Sequence, residues 1–218
     1  MDFIDALKSL DHLLFFSING LAGTSALLDM AGIFAAKALI WVMGFAAVLL
    51  LLFPGSRAPE EAIIAPPRRT WFFPSGTPRA PRTIFIIDGK KVLRGVWAIA
   101  ATALSVGLGG GVRMILAQIF GRTRPYLYEG VKNLFTTGVA DYAFPSGHTT
   151  VAFALAFSLL FYYPKYGVLF LFSALLVGLG RIYIGAHYPA DVAAGMILGY
   201  GAAIVAREII KVIQKTIK

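Results

Sequence analysis

The sequence predicts an all-α fold: a polytopic membrane helix bundle of about five transmembrane helices, preceded by an N-terminal interfacial helix. Three observations carry that expectation. Of the 218 residues, 58% are hydrophobic and only 14% are charged, where a soluble domain carries roughly 25% charged residues. The apolar residues come in long runs, not in the one-sided stripes of a surface helix. Prolines and charges concentrate in one long polar stretch, residues 54–94.

The elements follow in order. Residues 3–20 are apolar but interrupted by Asp5, Lys8 and Asp11, which suits a helix lying on the membrane surface better than one crossing it. Because the first residues are acidic and lack a basic leader, no cleavable signal peptide is expected. Spans are expected at 27–53, 95–119, 146–163, 166–185 and 190–210, each close to the length a bilayer core requires. Residues 54–94 read as a basic loop within a single integral-membrane domain covering 1–218. The Gly107–Gly111 run lies mid-span without the Lys-Ser/Thr ending of a nucleotide loop, so close helix packing is the expectation there. Gly195 and Gly199 read the same way.

Charge then sets orientation and excludes some functions. In a five-span arrangement the loop, Lys165 and the C-terminal tail share one side, and with them 13 of the 20 basic residues. Lys/Arg-rich segments are cytoplasmic. The N-terminus and the loops after the second and fourth spans then face outward, which predicts a plasma (bacterial inner) membrane protein with its chemistry on the outer face. The net charge of +9 is explained by topology, so nucleic acid is not an expected partner. There are no cysteines, which removes disulfides, thiol nucleophiles and Cys-based metal sites.

Two clusters sit where apolar segments meet polar turns on that outer side. Ser146-Gly147-His148 follows Pro145 and opens a helix, whose unpaired N–H groups and positive dipole end attract anions. Taken alone the Ser-Gly pair is a plain helix cap; an imidazole at that depth is what points to chemistry. Arg181, His187 and Asp191 form the second cluster. Pro189 suits the first turn of a helix, placing Asp191 in that turn with His187 just before it. A carboxylate there can bond one ring nitrogen and leave the other as a nucleophile. A membrane-anchoring cluster is the bland alternative, but Arg and Asp near hydrocarbon are expensive and usually functional. Arg124, with Arg122 nearby, offers guanidinium forks that match phosphate oxygens.

These residues resemble the three-part motif of the type 2 phosphatidic acid phosphatase superfamily, which is shared with the vanadium haloperoxidases. Pro145–His148 matches the second part. Arg181, His187 and Asp191 match the third, with Gly180 where serine is usual. Arg124-Pro125 matches the first, although Ala117 stands where that part has a lysine. Arg113, one helical turn before Ala117, either replaces that phosphate contact or merely snorkels toward the headgroups. The resemblance implies His187 as the nucleophile oriented by Asp191, and His148 as general acid and base. Arg124, Arg181, Ser146 and Gly147 would bind the phosphate, with Arg113 and Arg122 as further contacts. It implies no metal and no cofactor. It also implies a lipid phosphate or diphosphate as substrate, and membrane lipids as further partners.

Within the superfamily the chain looks most like the bacterial undecaprenyl-diphosphatase branch. Phosphatidylglycerophosphate, phosphatidic acid and lipid A 1-phosphate are the alternative substrates. A catalytically silent membrane scaffold is the reading from another class, and it has no need of both histidines.

Overall fold

The structure, a computed structural model, describes residues 2–52, 89–134 and 142–217, with residues 89–92 described by their backbone alone. Every regular element among the described residues is a helix. α1 (Phe3–Asn19) and α2 (Ala26–Ile33) are followed by a π-helical turn, Phe34–Ala38, which runs without a break into α3 (Leu39–Leu52). Then come α4 (Gly89–Phe120), a short 3₁₀ turn (Pro125–Leu127), α5 (Gly147–Tyr162), α6 (Pro164–Tyr183) and α7 (Pro189–Thr216). Most of the expected basic loop, residues 54–88, lies outside the described residues. Its last six residues are helical and belong to α4.

Among the described residues, three stretches are long and apolar enough to cross a membrane: Ala26–Leu52, Leu93–Leu127 and Pro164–Tyr183. α5 is apolar but has 16 residues, or about 24 Å of helix, less than the roughly 30 Å of a hydrocarbon core. α5 is the central helix, packed by α4, α6 and α7. α7 has 28 residues and mixes apolar positions with small and basic ones. Outward-facing Trp41, Phe45, Met114, Ile119, Leu169 and Ile197 are largely exposed, as they are on a surface solvated by lipid.

With lipid outside, close packing and buried hydrogen bonds hold the helices together more than apolar burial does. Thr102 and Ser158 hydroxyls meet at 3.0 Å between α4 and α5, and the Ser105 hydroxyl donates to the Ala154 carbonyl. α7 lies directly on the first turns of α5. A Cβ on Gly195 would stand 2.8 Å from the Ser146 carbonyl, and one on Gly199 2.6 Å from that of Thr150. Of the mid-span glycines, Gly109 faces Thr150 and Ala202 across the α4 contact. The α5 N-terminus is thereby held against the start of α7.

Candidate active site

The turn between α6 and α7 fixes the central imidazole. Gly185 has φ +81°, a conformation open to glycine, and the Ala186 and His187 N–H groups both donate to the Arg181 carbonyl. Pro189 starts α7, and Asp191 in its first turn accepts from the Tyr188 N–H at 2.9 Å. The Ser146 N–H donates to the Asp191 carbonyl at 3.0 Å, which joins the two motif clusters directly. His187 ends up 1% exposed.

Its partners assign the tautomer. Nδ1 lies 2.8 Å from the Ala143 carbonyl, which can only accept, so Nδ1 carries the proton. Nε2 lies 3.2 Å from an Arg124 terminal nitrogen, which can only donate, so Nε2 presents its lone pair. Burial, reinforced by the Arg181 and Arg124 charges and opposed by Asp191, lowers the His187 pKa to about 4. The ring is therefore a neutral base with its lone pair aimed at a guanidinium. Asp191 Oδ2 stands 3.7 Å from Nδ1, beyond hydrogen-bonding reach. The Nδ1 proton goes to Ala143, and Asp191 acts on the ring through its charge.

The guanidiniums around this nitrogen are buried. Arg124 is 8% exposed, and its terminal nitrogen also reaches the Ala186 carbonyl at 3.4 Å. Arg181 is 5% exposed. Its Nη1 makes a long 3.4 Å bond to the Ala36 carbonyl, and its buried Nε has no hydrogen-bond partner. That contact to the π turn depends on Gly180, where a Cβ would stand 2.7 Å from the Ala36 nitrogen. An orphaned donor on a buried cation is costly in a protein interior, and an anion would satisfy it. His148 is half-buried and within electrostatic reach of Arg181, His187, Arg124 and Arg113. Ser146 is fully buried and its hydroxyl accepts from Thr149. Gly147, at the first position of α5, supplies one of the N–H groups that the helix leaves without an internal partner.

Two expected phosphate contacts sit differently. Arg113 donates through Nε to the Pro145 carbonyl and through Nη2 to that of Tyr142. Its guanidinium lies so close over Gly147 that a Cβ there would meet Nε at 3.3 Å. It braces the loop that carries Ser146 and His148. Arg122 is a clearer correction. Its two terminal nitrogens are bound at 2.7 Å by Asp191 and at 2.6 Å by Asp11, and its face lies 4.2 Å from the Tyr188 ring. It is engaged with carboxylates, not presented to a phosphate.

Sequence reasoning missed Asp11. The signal was available: Asp11, Phe15 and Asn19 recur every fourth residue on α1 and are its buried residues. Beside His148 a cavity of about 410 Å³ opens between helices, lined by Ile40, Trp41, Val106, Val151 and Leu155. It is apolar except where it reaches His148.

Residues 95–215 match the PAP2 superfamily, over half of the 218 residues and including every motif residue from Arg113 to Asp191. The chain belongs to the PAP2 superfamily. A lipid A 1-phosphatase of Rhizobium etli is 38% identical over 109 residues, covering 47% of this PAP2 chain and 46% of that protein. An undecaprenyl-diphosphatase of Sulfolobus acidocaldarius is 31% identical over 121 residues, covering 55% and 57%. The chain thus spans about half the length of these curated relatives. Among solved structures, Aquifex aeolicus LpxE superposes with a TM-score of 0.58 and 25% identity, over 91% of this chain and 95% of that one. This PAP2 protein shares its helical fold with that structure.

Proposed function

We propose that the protein is a metal-independent lipid phosphatase that works through a phosphohistidine, with undecaprenyl diphosphate as its substrate. One observation carries the reading: the orphaned Arg181 Nε, in a buried site where Arg124 already faces the lone pair of a neutral His187. A phosphate entering there displaces the Arg124 contact from Nε2 and takes both guanidiniums as ligands. The apolar cavity beginning at His148 offers the attached chain a place beside the leaving oxygen.

In the first step Nε2 attacks the terminal phosphorus in line, its bond to the bridging oxygen of the diphosphate breaks, and His148 can give that oxygen a proton as undecaprenyl phosphate leaves. In the second, His148 takes a proton from water as the water oxygen attacks phosphorus. The P–N bond breaks, releasing inorganic phosphate and restoring the imidazole. Arg124, Arg181, the Ser146 hydroxyl and the Gly147 N–H hold the equatorial oxygens as charge builds on them. Arg113 adds positive potential while it holds the loop. The ring becomes cationic on phosphorylation, and the Asp191 charge offsets that.

The Sulfolobus relative's name and the sequence resemblance support undecaprenyl diphosphate. The Rhizobium relative's name supports lipid A 1-phosphate as a second reading. Phosphate release from a panel holding both lipids, phosphatidic acid and phosphatidylglycerophosphate separates them. Activity is expected to persist in EDTA and to fall with orthovanadate, which takes up the five-coordinate shape of the transition state. Activity lost in EDTA and restored by magnesium overturns the mechanism. A scaffold without chemistry predicts no release from any lipid.

The reading also places the site on the outer face of the plasma membrane, with α5 and α7 completing five crossings. Tags at the two ends of the chain, probed before and after permeabilisation, are expected to label from outside at the N-terminus and only from inside at the C-terminus. Both tags labelling from one side means an even number of crossings and removes this placement.

A further inference from the structure

Asp11 is a buried carboxylate that the mechanism above does not use. It sits on α1, before the residues 95–215 that match the superfamily, and it is 9% exposed. Its Oδ1 accepts from the Ala190 N–H in the first turn of α7 at 2.8 Å. Its Oδ2 accepts from Arg122 at 2.6 Å. The other Arg122 terminal nitrogen binds Asp191 Oδ1 at 2.7 Å, so one guanidinium bridges a carboxylate on α1 and the carboxylate behind the nucleophile.

Anchoring α1 does not require this arrangement. Phe15 and His12 already pack on the Tyr188 ring, with centroids 5.1 and 5.2 Å away, and a buried ion pair adds little to stability over apolar contact. The charges say more. Arg122 with Asp191 alone is a neutral pair and presents little field to His187. A second carboxylate on the same guanidinium leaves the trio net negative, beside a ring that turns cationic when Nε2 bonds phosphorus. The trio also holds Asp191 from both sides: Oδ1 by Arg122 and Oδ2 by the Tyr188 N–H.

We propose that Asp11 is a positioning residue for catalysis. By sharing the Arg122 guanidinium it holds Asp191 in place and keeps that carboxylate's charge available to His187. The inference rests on the phosphohistidine reading of the site.

The test is steady-state phosphate release in detergent, with thermal midpoints measured alongside. Asp11→Asn keeps an acceptor for the Ala190 N–H and removes the charge together with the acceptor that faces Arg122. It is expected to lower kcat roughly tenfold or more with KM within about twofold, since the field acts on the transition state and not on lipid binding. Asp11→Glu is expected to restore much of the rate. Asp11 acts only through Arg122, so Asp11→Asn added to Arg122→Gln should cost nothing further. A kcat within about twofold of wild type, a loss confined to KM or thermal midpoint, or multiplying losses in the double variant each overturn the proposal. Wild-type protein that releases no phosphate from any lipid of the panel sinks the reading of function itself, before any Asp11 variant is made.

Discussion

Replacing His187 with alanine is expected to lower phosphate release by at least about 10⁴-fold, because no other group can take over a positioned nucleophile. The geometry leaves no substitute: Nε2 is the lone pair facing Arg124, and Ala143 and the α6–α7 turn fix the ring behind it. In the proposed mechanism His148 has a different task, on the leaving oxygen. The variant leaves the Ala143 carbonyl without its partner, a loss of about 1–3 kcal/mol, so a thermal midpoint in detergent checks that it remains folded. Wild-type protein quenched during turnover is expected to hold an acid-labile, alkali-stable phosphoryl group, and His187→Ala none. The same ring predicts a pH response. Its pKa of about 4, below the ordinary 6.5, means that acid removes the free nucleophile only as pH falls toward 4. A ¹⁵N spectrum showing the His187 ring neutral at pH 6 agrees; half-protonation there contradicts the buried site. Near-wild-type activity of His187→Ala rules out the phosphohistidine.

The local parts of this site were legible in the sequence. Pro145, Pro164 and Pro189 stand at or beside the starts of α5, α6 and α7, because proline suits a first helical turn and resists a later one. Arg181, His187 and Asp191 lie within one helix end, one turn and one helix start, so their spacing alone brings them together. Long-range pairings were not legible. Asp11 reads as a polar break in a surface helix until its partner Arg122, 111 residues away, folds against it. Arg122 in turn reads as a phosphate ligand because its two carboxylates come from distant elements. The π turn at Phe34–Ala38 is invisible in a uniformly apolar run; it shows only where Gly180 admits the Ala36 backbone. Tertiary contacts decide all three, and hydrophobic period carries no record of them.

His148→Ala is expected to cost about 10²–10⁴-fold in turnover, and the step that suffers depends on the leaving group. An alcohol leaving from a phosphate monoester departs as a strongly basic alkoxide unless it is protonated. With such a lipid the first step slows and little phosphoenzyme forms. A lipid diphosphate attacked at its terminal phosphorus releases a phosphate monoester anion, which needs little help. There the first step survives and the second fails, because water still requires a base. His148→Ala given undecaprenyl diphosphate is therefore expected to release about one equivalent of undecaprenyl phosphate and then stall as phosphohistidine. The half-buried position of His148 at the mouth of the apolar cavity motivates both roles. A rapid-quench comparison of the two substrate types reads the difference directly. Equal losses on both with no trapped phosphoenzyme leave His148 as a mere binding group, and the protons then come from elsewhere in the site.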